Sequence, residues 1–352
     1  MHLSKDQVAE LVTPHPDTLK LINSWLDHHG VPSSSVSTSH GGSWLTLTGV
    51  PVSQANALLG TSYQLYQHAE TKDRVLRTVG YSLPEVLHAH VQTVAPTTYF
   101  GSPRTRRQTL RKRSGGAAAA LEKSASGELV KVLSSRIDDG LVTPSSLRRL
   151  YETSGYMPVA KDRNVLGIAG YLGDYPDHDD LTAFMKKYRT DAPYATYTFE
   201  HVGDGDLPDE PSDEANVDLQ YTEAIAYPTP HIYYSTPGEQ GFLVWLKYMI
   251  DQPTVPQMIS MSYDGEEQYF SEGYAIAVCK LFAQLGARGA SVILASGDDA
   301  VGREDCRVND GSGRVQFLPT FPASCTCGIF SPLANSYKSL TTLPCFNRSL
   351  CH

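Results

Sequence analysis

Glu214 and Asp218 stand four residues apart in the stretch PSDEANVDLQ, where alanine, valine and leucine predict a helix packed against a core. At that spacing both acids project from one helix face. Ionised together they destabilise an isolated helix by roughly 0.2–0.5 kcal/mol. Two readings stand side by side. The pair is either a solvated helix edge, continuing the polar run GDGDLPDEPSDE just upstream, or a coupled pair in which repulsion raises one pKa and yields a proton acceptor that works in acid. A third acid, Asp298, follows VILAS in a Gly-containing loop; a residue leaving the carboxyl end of a strand is well placed to face a site, although Gly-Asp is also ordinary turn chemistry.

The elements that must position these acids are legible from about residue 140 onward. NVLGIAGYL predicts a buried strand, DHDDLTAFMKKY a helix with acids first and lysines last, HIYYS a strand and GFLVWLKYMID a helix. PQMISMSY, YAIAVCKLFAQLGARG and ASVILAS continue as strand, helix and strand. Strands separated by helices of this length predict an α/β fold with a doubly wound parallel sheet. Residues 1–100 predict a small α+β unit. Within it DTLKLINSWLDHHG puts Leu19, Ile22, Trp25 and Leu26 on one face and stops at Gly30, SWLTLTGV alternates like a strand, PVSQANALLG begins a helix at a proline, and TVGYSLPEVLHAHVQTV contains a further short helix.

Between the two parts, residues 101–139 open with GSPRTRRQTLRKRS, six basic residues in ten positions, and continue in Gly, Ala and Ser. Such a run buries too little apolar area to order itself. It reads either as a solvated tether or as a processing site for proteases that prefer consecutive basic residues; a nucleic-acid patch is disfavoured because no aromatics interleave.

With 352 residues, 41% of them hydrophobic and 19% charged, the chain has material for a sizeable core. A net charge of −9 and a pI near 5.7 argue against a nucleic-acid partner. No apolar run reaches the roughly 20 residues that span a bilayer, so no membrane partner is expected. The start, MHLSKDQVAEL, lacks the basic and apolar regions of a secretory signal. All six cysteines lie at or beyond Cys279. Cys325 and Cys327 have CxC spacing with no second pair to complete a zinc knuckle, so no metal ligands are assigned. Cys306 and Cys325 flank a Gly-rich loop and could pair in an oxidising compartment, though other pairings stay open. The sequon NRS falls at Asn347.

Taken in order, several of these segments resemble the sedolisin family of serine-carboxyl peptidases. HLSKDQVAELVTPHPDTLKLINSWL and ANALLGTSYQLYQH resemble its activation prodomain, and LVTPSSLRRLYE the junction that opens its peptidase domain. EANVDLQY resembles its ExxxD helix, while GARGASVILASGDDAVG and RVQFLPTFPASC resemble the strand bearing its oxyanion-hole aspartate and the loop beyond. The resemblance covers roughly residues 2 to 325. It implies a subtilisin-like doubly wound sheet behind a ferredoxin-like α+β prodomain, with boundaries at 1–100 for the prodomain, 101–139 for the linker and 140–325 for the peptidase part. Residues 326–352 form a tail outside the family pattern.

By the same resemblance Glu214 is the general base, Asp218 the carboxylate that orients it and Asp298 the acid that donates to the developing oxyanion. The resemblance further implies polypeptide substrates, the chain's own prodomain as inhibitor and chaperone, calcium as the family's cofactor, and a secreted protein. A serine peptidase working in acid needs a carboxylate base, because histidine with its ordinary pKa near 6.5 is protonated there. The family's Ser-Gly-Thr-Ser nucleophile motif is not found; Gly60–Ser62 lie in the prodomain-like segment and receive no role. The calcium ligands expected near the carboxyl terminus are missing too. TCGIFSPLANSYKSLTTLPCFNRSLCH is therefore expected to be a premature end, and the prodomain's first strand to precede His2. The alternative is a non-catalytic peptide-binding or chaperone-like protein.

Overall fold

Ser4 starts the first helix. Its Oγ accepts from the Gln7 N–H at 3.1 Å while Gln7 Oε1 accepts from the Ser4 N–H at 2.9 Å, a reciprocal cap that opens α1 (Lys5–Val12). In this computed structural model, residues 2–67, 72, 74–100, 142–161, 163–238, 241–295 and 306–325 are described, with the backbone of 329–330. The basic linker, Asp298 and nearly all of the tail lie outside the described residues.

α2 (Pro16–His28) carries proline in its first turn and ends at Gly30, whose φ of +67° suits a residue without Cβ. Its Ile22 and Leu26 enter a core with Val31, Leu58, Leu59 and Leu87. β1 (Val36–Thr38) and β2 (Leu45–Leu47) pair antiparallel, Val36 opposite Leu47. α3 (Val52–Leu58) follows, then the hairpin of β3 (Gln64–Gln67) and β4 (Arg74–Arg77). SWLTLTGV thus yields only a three-residue strand, and SLPEVLHAH only one 3₁₀ turn at Glu85–Leu87, which begins after Pro84 with no side-chain cap.

α4 (Pro144–Leu150) is closed by a reciprocal Thr143–Ser146 cap. The predicted alternation then appears: β5 (Leu166–Tyr171), α5 (His178–Tyr188), β6 (Thr198–His201), α6 (Asp213–Ala226) and β7 (His231–Thr236). β7 pairs parallel with β5 on one side and β6 on the other. Ile168, Leu181, Met185, Leu219 and Tyr233 form the core that α5 and α6 share with these strands. Gly170 is required by that packing, since a Cβ there would fall 2.1 Å from the Tyr233 hydroxyl.

α7 (Gly241–Asp251), β8 (Met258–Met261), β9 (Gly265–Glu266), α8 (Glu272–Ala287), β10 (Ser291–Leu294), β11 (Thr320–Phe321) and β12 (Ile329–Phe330) complete the order. β10 lies parallel between β8 and β12, and β9 pairs antiparallel with β11. The fold is α/β, with parallel strands and intervening helices. Its contacts divide the chain into two compact units, 1–104 with 238–352, and 105–237.

The disulfide joins Cys279 on α8 to Cys325, not Cys306 to Cys325. Both partners are buried, and their Cα atoms stand 5.4 Å apart across 46 residues of sequence, a proximity that only the return of β11 to this unit creates.

Candidate active site

The helix that carries the acid pair begins beside the carboxyl end of β5. Ser212 N–H donates to Tyr175 O at 3.0 Å, and Ser212 Oγ accepts from Ala215 N–H at 3.1 Å, capping α6. Asp213 and Glu214 therefore occupy the first turn, where the exposed backbone N–H groups favour negative charge. This local field offsets part of the repulsion between Glu214 and Asp218.

Burial follows the helical period. Ala215, Leu219 and Glu223 form the stripe that faces inward, Asp213 and Val217 are exposed, and Glu214 and Asp218 are half-buried along the flank of the stripe. The pair is thus neither a fully solvated edge nor a fully desolvated site. Asp218 Oδ2 is itself shielded from solvent, and the Asp218 carbonyl accepts from Thr222 Oγ1 at 2.5 Å.

Asn216, two positions from each acid, sets the rotation of α6. Its Oδ1 accepts from Asp177 N–H at 2.9 Å and its Nδ2 donates to Asp180 Oδ2 at 2.8 Å, tying α6 to the capped start of α5. At the opposite end of α6, Arg189 donates to the carbonyl of Ala224 and forks onto Asp191 at 2.9 and 2.8 Å. Those guanidinium hydrogen bonds hold the Asp191 carboxyl at about 2. Nearby, burial pushes the Tyr197 hydroxyl up to about 12, leaving it a donor to Pro176 O at 3.0 Å.

Glu223 and His231 are both buried, and Glu223 Oε2 approaches His231 Nδ1 to 2.5 Å without hydrogen-bond alignment. Reading the sequence missed this contact, together with the Ser212 cap and the Asn216 tie. Only the cap had a sequence signal, a serine directly before acids and an apolar stripe. Asp298 lies outside the described residues, so the structure brings together two of the three predicted acids.

Among the described residues no three or more His, Cys, Asp or Glu side chains are grouped to hold a metal ion. No helix among the described residues is long and apolar enough to cross a membrane.

Residues 1–100 match the sequence profile "Pro-kumamolisin, activation domain". The chain is 32% identical over 349 residues to "Probable tripeptidyl-peptidase SED3" of Arthroderma benhamiae, covering 92% of this chain and 56% of that protein. It is 30% identical to "Tripeptidyl-peptidase SED2" of Arthroderma otae, again over 92% of this chain and 56% of the relative. The chain therefore spans little more than half the length of these relatives. A solved structure, "Pseudomonas sedolisin (serine-carboxyl proteinase) complexed with two molecules of pseudo-iodotyrostatin", matches with a TM-score of 0.40 at 17% identity, over 54% of this chain and 52% of that one. The activation-domain match and the chain-wide likeness to tripeptidyl-peptidases support assignment to the sedolisin family, a class of peptidases with a zymogen prodomain.

Proposed function

We propose that this chain belongs to an acid-working serine-type peptidase that hydrolyses peptide bonds, releasing tripeptides from polypeptide amino termini. The observation that carries the reading is the half-buried pair Glu214 and Asp218 on one face of α6, beside the carboxyl end of β5. The likeness to tripeptidyl-peptidases supports the substrate class.

In this reading Glu214 takes the proton of a serine hydroxyl as its oxygen bonds to the scissile carbonyl carbon and the carbonyl electrons move onto oxygen. Asp218 shares charge with Glu214 and holds its orientation. Asp298, protonated in acid, donates a hydrogen bond to the new oxyanion. Collapse of the adduct breaks the C–N bond, and Glu214 returns its proton to the departing amine. Water then releases the acyl group by the same sequence. No serine of the described residues is assigned as nucleophile. The activation domain acts on this peptidase as inhibitor and folding aid. The location is extracellular, where a disulfide such as Cys279–Cys325 persists.

The test is tripeptide release from unblocked peptides between about pH 3 and 7. Glu214→Gln is expected to lower kcat by about 1000-fold with folding intact, within the range of general-base catalysis. Turnover retained by that variant removes Glu214 from its role. Peptide binding without any turnover in the parent protein moves the reading to a binding protein.

A further inference from the structure

Tyr99 stands one residue before the end of the activation-domain match and is only 4% exposed. Its ring stacks on Phe270 at 4.7 Å and 16°, and on Tyr274 at 5.5 Å and 11°. Phe270 in turn meets Phe321 at 4.5 Å, and Phe242 closes the group at 6.3 Å from Phe270 and 6.0 Å from Phe321. All five rings belong to the same compact unit, yet Tyr99 comes from the activation domain and the other four from sequence beyond residue 238.

The backbone delivers Tyr99 to this place in a defined way. Thr78 N–H donates to Thr97 O at 3.1 Å, and the buried Arg77 guanidinium donates to Tyr99 O, so the segment runs alongside the end of β4. Upstream, Gln92 and Thr93 press on the start of α8 at Gly273, where a Cβ would lie 3.1 Å from Gln92 O. Lys280 Nζ also reaches Gln92 Oε1 at 2.9 Å. Polar ties elsewhere on the same face are peripheral. Lys247 donates to Thr46 Oγ1 at 2.6 Å and lies over the Trp44 ring at 5.7 Å, and Lys5 donates to the Asp251 carbonyl. Such partly solvated contacts orient a surface, whereas a desolvated aromatic anchor carries most of its binding energy.

We propose that Tyr99 anchors the activation domain to the peptidase part, its ring filling a slot built by Phe270 and Tyr274 and backed by Phe242 and Phe321. The slot then retains the activation domain as a separate polypeptide after the chain is cut in its basic run. That run begins at Arg104, so a cut there leaves Tyr99 close to the new carboxyl end of the excised piece. Phe270 and Tyr274 themselves stack at 5.7 Å and 15°, so Tyr99 completes a near-parallel, offset group of three rings, a packing that favours a flat aromatic side chain over an aliphatic one. The inference rests on reading residues 1–100 as an activation domain, and it deepens that reading by naming the residue that holds the domain in place.

The experiment nicks the purified full chain with trypsin under native conditions and passes it over a sizing column. In the parent chain and in Tyr99→Phe the two fragments are expected to co-elute. In Tyr99→Ala they are expected to separate, with affinity weakened at least about 100-fold, the order expected for truncating a buried aromatic. Separation of the nicked parent chain, or co-elution of the alanine variant at parent concentrations, overturns the proposal. If Tyr99→Ala fails to fold, a synthetic peptide of residues 90–104 is added to the nicked parent complex. Displacement by the Tyr99 peptide but not by its Tyr99→Ala counterpart supports the anchor, and equal behaviour of the two overturns it. Because the readout is binding, loss of the anchor and loss of the catalytic reading are told apart.

Discussion

Asp191 shows how a single carboxylate in this chain is tuned for acid. Hydrogen bonding to Arg189 holds it at about 2, well below the ordinary carboxyl value near 4. A group with a depressed folded pKa contributes stability above its unfolded pKa and loses it as pH falls through the folded one. The advantage of the parent chain over Asp191→Asn in thermal unfolding is therefore expected to be constant above about pH 5. It should shrink between about 4 and 2 and be gone below. A difference that stays the same from pH 5 down to pH 2 would show that Arg189 does not hold this carboxyl below its ordinary value. The side chain of Asp191 is 55% exposed, so solvent screening keeps the total effect small. The Arg189–Asp191 fork joins neighbours in sequence, whereas the meeting of Glu223 with His231 needs α6 to turn back into β7, and no local pattern announces it.

Helix α6 joins local and tertiary causes. Its start is set by the Ser212 cap, and Ser212→Ala is expected to lower stability to urea by about 1 kcal/mol, the usual worth of such a cap. An unchanged midpoint would mean that Tyr175 and Asn216 alone fix the start of the helix. The apolar stripe and the acid spacing made α6 legible in the sequence, because helix period and side-chain type are local properties. The tie from Asn216 to Asp177 and Asp180 was not legible, since its partners lie 39 and 36 residues away. Short strands escaped for the opposite reason. β9 and β11 have two residues each, and β3 has no regular alternation of buried and exposed positions, so none of these offered a period to read.

Across the larger compact unit, the Cys279–Cys325 bridge closes a loop of 46 residues and its removal is expected to cost about 4 kcal/mol of unfolding free energy. Denaturant unfolding of Cys279→Ala/Cys325→Ala against the parent chain measures this. An equal midpoint would mean that the return of β11 is held by its apolar contacts alone. Composition, the alternation of strands and helices, the acid pair and the order of family-like segments were all written in the chain, because each depends on residue type and near neighbours. The α/β class and the candidate acids followed from them. The tertiary structure decided which cysteine Cys325 meets, how Asn216 ties α6 to α5, and that Tyr99 closes an aromatic slot made by residues far beyond it. Each of these joins groups distant in sequence, and such meetings are settled by how buried surfaces pack.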